Sequence, residues 1–200
     1  MCGPVSDTVA REQHVEFSSP IAIGGIGAVL RPDAPPWLLR LLRIGEVAAA
    51  PPRTLLARLD WPRRIAVLRG GTAANWLESV LARVQVDVTT VLVADYDEAA
   101  RRLVDGDVGA WVGEWAVVSQ RVRSDSRLAD MRLVPRPIVG EPLAIAVRSD
   151  PSLRRSVQAA LSTLLRGPEL DVMAARWFGQ AGRAQVALIQ SVTPPADSPP

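Results

Sequence analysis

Residues 64–84, Arg64-Ile65-Ala66-Val67-Leu68-Arg69-Gly70-Gly71-Thr72-Ala73-Ala74-Asn75-Trp76-Leu77-Glu78-Ser79-Val80-Leu81-Ala82-Arg83-Val84, decide the fold class. Arg64 to Leu68 is a short apolar run closed by a glycine pair, which reads as a buried strand. After Gly70-Gly71 the apolar residues Ala73, Trp76, Leu77, Val80, Leu81 and Val84 fall at offsets 0, 3, 4, 7, 8 and 11, the stripe of an amphipathic helix. Strand, glycine turn and helix together form the first half of a βα unit. The text downstream repeats it: Val86 to Val93 reads as a strand, Asp95 to Val104 as a helix closed by Asp105-Gly106, Val108 to Val112 as a strand, and Glu114 to Val122 as a helix. Alternation at this spacing predicts an α/β fold, a sheet of parallel strands with helices on both faces.

Outward from this block the signals are sparser. Upstream, Val15-Glu16-Phe17 and Ile21 to Leu30 read as extended, interrupted by Ser18-Ser19-Pro20, and the longer stretch has the length of a crossing strand. From Asp33 to Pro62 prolines surround two short Leu/Arg stretches, Trp37 to Ala49 and Thr54 to Leu59, which read as a connector or insertion. Downstream, Met131 to Val134 and Leu143 to Val147 read as strands. Asp150-Pro151 is an N-cap followed by proline at the first helical position, opening a helix striped by Leu153, Val157, Leu161 and Leu164. A second helix follows Gly167-Pro168 with the stripe Leu170, Met173, Ala174, Trp177 and Phe178 and a C-cap at Gly179. Residues 191–200, rich in proline, are expected to be a disordered tail.

Composition narrows the chemistry. Of 200 residues 48% are apolar and 22% charged, enough for a buried core and typical of a globular chain. All 23 basic residues are arginine, and with 21 acids the net charge is only +2, so the balance calls for no nucleic acid. The excess is local: between Arg31 and Arg69 eight arginines face Asp33, Glu46 and Asp60. The single cysteine, Cys2, and single histidine, His14, exclude an intrachain disulfide and the usual Cys/His zinc cluster, and no other cofactor is implied. There is no apolar run of transmembrane length, and Met1-Cys2-Gly3-Pro4 lacks the basic and apolar regions of an export signal.

Several residues carry candidate chemistry. Gly25-Ile26-Gly27 suggests a dinucleotide loop, but the third glycine is missing and Arg31-Pro32 stands where a helix would open, so it reads as a flexible strand. Gly70-Gly71-Thr72 opens the amphipathic helix. Its first-turn N–H groups suit a small anion, or the segment is simply a turn with Thr72 as N-cap. Glu114 is placed at the carboxyl end of a parallel strand, where α/β sheets bind ligands, or is a first-turn acid complementing the helix dipole. Arg11, in a polar stretch, is a ligand clamp or a solvated charge. Together, a guanidinium, a row of backbone donors and a carboxylate are the parts that hold a zwitterionic amino acid.

A resemblance joins these parts. Arg11-Glu12-Gln13-His14-Val15-Glu16-Phe17-Ser18-Ser19-Pro20 resembles a segment of bacterial family 3 solute-binding proteins, the polar-amino-acid receptors of ABC importers. In the family's order, Arg64 to Thr72 resembles its strand and Gly-Thr turn. Asp97 to Leu103 with Gly106 to Ala110 resembles its next helix and strand, and Pro142 to Arg148 its return strand. Leu153 to Leu165 and Met173 to Gly179 resemble its terminal helices. The resemblance spans residues 3–179. It implies a type II periplasmic-binding-protein fold, in which two α/β lobes joined by crossing strands close on a ligand. It further implies that Arg11 grips the ligand carboxylate with help from Ser6, that Gly71, Thr72 and Ala73 complete that site, and that Glu114, in place of the usual aspartate, takes the amino group. The expected partners are an amino-acid-like ligand and an ABC permease, in the periplasm or extracellular space. Membrane contact is expected only through the permease or the lipid anchor of a longer form.

The departures from the family are equally specific. Residues that would form most of the first lobe are absent, which implies either a start assigned too late or a truncated product, with an uncovered apolar face on the terminal helices. The expected divisions are 1–34 as the end of the first lobe and first crossing strand, 35–62 as connector and 63–142 as the second lobe. Residues 143–180 are then the return strand and terminal helices, and 181–200 the tail. Trp37 to Ile44 reads as a packed insertion or, alternatively, as a surface for membrane or partner. Gly109 replaces the family's usual aspartate. Trp111 and Trp115 flank Glu114 and either line a pocket or pack in the core. Two other functions stay open: a cyclohexadienyl dehydratase-like enzyme, which would need a carboxylate where Val117 stands, and a sensory or regulatory ligand-binding module.

Overall fold

The computed structural model describes residues 4–35, 38, 41–42, 63–84, 86–178, 186–187 and 189–191. In chain order the elements are β1 (Pro4–Ser6), α1 (Val9–Glu12), β2 (Glu16–Phe17), β3 (Ala22–Leu30), β4 (Arg64–Leu68), α2 (Thr72–Val84), β5 (Thr89–Val93) and α3 (Tyr96–Val104). They continue with β6 (Ala110–Glu114), α4 (Trp115–Ser124), a 3-10 turn (Ser126–Leu128), β7 (Arg132–Leu133), β8 (Val139–Val147), α5 (Pro151–Arg166) and α6 (Glu169–Phe178). The chain divides into two compact units, one of Met1–Gly24 with Glu141–Pro200 and one of Gly25–Gly140. Strands β3 and β8 carry the chain across that division.

In the Gly25–Gly140 unit, β4 lies between β5 and β6, parallel to both, with Ile65 opposite Thr90 and Ala110. The expected parallel sheet is there, and β3 adds an antiparallel strand, with Ile26 opposite Glu114 and Leu30 opposite Ala110. Because side chains alternate across a strand, each strand feeds two cores. Ile65, Val67, Ala110 and Val112 meet the α2 stripe of Ala73, Leu77, Val80 and Val84, while Ala66 and Trp111 meet Leu103, Val118 and Leu128 on the other face. Most of the connector lies outside the described residues. Leu38, Leu41 and Leu42 are described, and all three are buried in the α2-side core. These three leucines are core residues and not a surface for membrane; the rest of Trp37 to Ile44 lies outside the described residues.

The other unit is built on β8, to which β1 and β2 pair antiparallel, Ser6 opposite Leu143 and Phe17 opposite Ala146. Its core gathers Leu161, Leu165, Leu170, Ala174, Val186 and Ile189. Asp150 caps α5 as expected, accepting the N–H groups of Ser152 and Leu153, and these bonds, Leu153 first, hold its carboxyl below the usual range. The buried stripe of α5 differs from the sequence reading. Leu165, one residue beyond the expected Leu164, faces the core, leaving Leu153 and Leu164 exposed. A step of four from Leu161 keeps a residue on one face, so the stripe passes to 165. Met173 of the expected α6 stripe is also exposed. The Gly179 cap and the tail beyond Ser191 lie outside the described residues, and Ser191 itself is helical.

Candidate functional site

The candidate residues fall into two groups, one in each unit. In the Gly25–Gly140 unit they stand at the carboxyl ends of the parallel strands. After β4 the chain turns at Gly70, whose φ of +73° favours glycine; a Cβ there would meet nothing within 4 Å. The Gly71 N–H closes the turn on the Leu68 carbonyl at 3.2 Å, and the Gly71 carbonyl accepts from Ala74 N–H at 3.1 Å. Thr72 is therefore the first residue of α2 and not its cap, and Ala73 is buried in the core. The first turn of α2 contains no acid, so no side chain there offsets the positive end of its dipole.

Glu114 stands at the same edge, one strand over. It is the last residue of β6 and the N-cap of α4, with an extended backbone, and not the first helical residue. The strand runs to Glu114 rather than stopping at Val112 because β3 pairs with it as far as Ile26. Glu114 makes no side-chain cap; its Oε1 accepts the Gly25 backbone N–H at 3.0 Å.

The two tryptophans beside it are placed differently. Trp111 is fully buried, its ring tilted 44° against Tyr96 at a centroid separation of 5.7 Å. Its Nε1 is buried without a hydrogen-bond partner among the described residues. A pocket-lining role for Trp111 is thereby corrected to packing, because alternation along β6 points it into the α3-side core. Trp115 is half-buried and donates Nε1–H to the Val134 carbonyl at 3.1 Å.

Tyr96 is a neighbour of Glu114 that the motif reading passed over. Burial, then the Glu114 charge, pushes its hydroxyl above the ordinary 10.0, while a hydrogen bond with the Glu114 backbone acts the other way. Its position one residue past the Asp95 cap, at the ligand edge of a parallel sheet, was the available signal.

In the other unit Ser6 and Arg11 come together. Arg11 lies on the single turn of α1 and donates from Nη1 to the Ser6 carbonyl at 2.9 Å. The Ser6 hydroxyl donates to Glu141 Oε2 at 3.1 Å. Glu141, the first residue of this unit on β8, is a second acid that the sequence did not single out. Next to Ser6, Asp7 keeps its Oδ1 buried without a hydrogen-bond partner among the described residues. A guanidinium tied at one nitrogen to its own backbone keeps the rest of its N–H fork for a carboxylate. Among the described residues there is no cluster of three or more His, Cys, Asp or Glu that could hold a metal ion. None of their helices is long and apolar enough to cross a membrane.

No family model matches this chain, and no curated protein sequence does. Solved structures do. An ancestral arginine-binding protein bound to glutamine matches with a TM-score of 0.67 at 24% identity, over 88% of this chain and 69% of that one. The ancestral amino-acid-binding protein AncCDT-1, a precursor of cyclohexadienyl dehydratase, matches with a TM-score of 0.64 at 20% identity, over 87% of this chain and 65% of that one. A histidine kinase sensor domain with similarity to periplasmic binding proteins matches with a TM-score of 0.65 at 22% identity, over 88% of this chain and 67% of that one. The chain has the α/β fold of type II periplasmic binding proteins.

Proposed function

We propose that this chain binds an amino acid or a similar small zwitterion and serves as the substrate-binding component of an ABC importer, in the periplasm or outside the cell. The observation that carries the reading is the Arg11 guanidinium, anchored through Nη1 to the Ser6 carbonyl with its remaining N–H fork suited to a carboxylate. By the same reading, within the Gly25–Gly140 unit Glu114 offers an anionic oxygen to an ammonium group, and Thr72 and Ala73, after the Gly71 turn, stand in the first turn of α2, whose N–H groups suit a small anion. Two of the structural neighbours are named as amino-acid binders, which supports the ligand class.

The importer role predicts binding without turnover. Isothermal titration of the chain with a panel of L-amino acids tests it: Arg11→Ala is expected to weaken the best ligand at least ~tenfold, the loss of one charge-assisted contact. Unchanged affinity in Arg11→Ala defeats the reading.

The likeness to AncCDT-1 favours one alternative, a dehydratase on the same fold. By the resemblance to that enzyme branch, Val117 stands where its proton donor would be, so the expected result with prephenate or arogenate is no turnover; conversion of either establishes the enzyme instead. A sensory module, like the matching histidine kinase domain, would share the ligand site but pass its signal to a fused or bound partner.

A further inference from the structure

We propose that Glu141 determines which carboxylates the Ser6–Arg11 site accepts, favouring an acid with an ammonium group beside it, an α-amino acid, over the same acid without its amino group. The inference rests on the reading of Ser6 and Arg11 as a carboxylate site. Ser6 lies opposite Leu143 in the β1–β8 ladder, so Glu141, two residues before Leu143, is its diagonal neighbour on the same face. The Ser6 hydroxyl closes that distance by donating to Glu141 Oε2 at 3.1 Å, and the Ser6 carbonyl holds the Arg11 guanidinium at 2.9 Å. One residue thus bridges an acid and a cation. The one Ser6 hydroxyl proton is already on Glu141, so a ligand carboxylate that takes the Arg11 fork next to Ser6 arrives beside the Glu141 carboxylate. A bare carboxylate meets a like charge there. An α-amino acid brings its ammonium group one carbon away, where it pairs with Glu141 and turns the repulsion into attraction. Arg11 reads only the carboxylate and has no means of making this distinction; the rejecting element is the acid next to it.

The test titrates the full chain with two ligand pairs that differ only by the amino group, L-glutamine against glutaramate and L-arginine against 5-guanidinopentanoate. In each pair that binds, the wild type is expected to prefer the amino acid, and Glu141→Gln to shrink the preference by about tenfold, both by gaining the bare acid and by losing the amino acid. Glu141→Asp, which keeps the charge but draws it back from Ser6, is expected to fall between the two. An unchanged preference in Glu141→Gln, with binding still lost in Arg11→Ala, overturns this inference and leaves the functional reading standing. Binding that is insensitive to Arg11→Ala, or no binding of either pair by the wild type, overturns both.

Discussion

Glu114 Oε1 accepts the backbone N–H of Gly25 at 3.0 Å, so the acid that ends β6 also holds β3 at the first residue of its unit. The bond continues the β3–β6 ladder, whose last pair sets Ile26 opposite Glu114. The side chain thus occupies the place the next ladder bond would take. Its length matters for that reach, since aspartate carries its carboxylate one methylene closer to the backbone.

Shortening the side chain tests this. Glu114→Asp is expected to lose the Gly25 bond and about 1–2 kcal/mol of stability in urea unfolding, whereas Glu114→Gln keeps an acceptor oxygen and loses less than about 1 kcal/mol. Equal losses in the two variants would assign the bond no energetic weight.

Gly27 is expected to tolerate no side chain. A Cβ there would lie 2.7 Å from Trp115 Cδ1 and 2.9 Å from both Trp115 Cα and Cβ. Because backbone is part of the clash, Gly27→Ala should cost roughly 1–3 kcal/mol as an overpacked core does. Trp115→Ala in the same chain should not restore stability, since Cα and Cβ remain. Recovery in the double variant would place the clash on the indole ring alone.

Leu38 and Leu41 are core residues, 0% and 6% exposed. Replacing either by serine is expected to destabilise by about 2–5 kcal/mol, the cost of emptying a leucine site, with a hydroxyl added to an apolar surround. Co-sedimentation of the folded wild type with anionic liposomes should be negligible. Stable Ser variants together with strong wild-type co-sedimentation would return these leucines to a membrane surface.

Tyr96 gives a pH-dependent signal that can be read without ambiguity, because it is the sole tyrosine of the chain. Burial first, and the Glu114 charge second, raises its pKa above 10.0 in the fold. The unfolded chain therefore loses that proton at lower pH than the folded one. The contribution of Tyr96 to stability is complete below pH 10.0 and is lost as pH rises through the higher folded value. Tyrosinate absorbance should titrate above the free-tyrosine midpoint, Glu114→Gln should bring it down, and Tyr96→Phe should flatten the alkaline loss of stability. A midpoint at the free value would remove Glu114 and burial as influences on this hydroxyl.

The α/β class was legible from Arg64 to Val84 because both periods are local: β4 has the range read for it, and the α2 stripe is the buried face. Boundaries moved where a neighbour extended an element, as β3 does for β6 at Glu114, or where one residue decides the face, as Leu165 does in α5. Trp111 and Trp115 looked alike in the text. Strand alternation buried the first, and the start of α4 left the second half-exposed with its indole on Val134.

What the sequence by itself determined is what repeats within a few residues: strand and helix periods, the Asp150 cap and the Gly70 turn. Only the tertiary structure decided which groups those residues meet. Ser6 and Glu141 are 135 positions apart, and Gly25 and Glu114 are 89 apart. No local pattern encodes such pairs, because each is created by the register of an antiparallel ladder, and a shift of one residue in that register would turn the side chains to the opposite face.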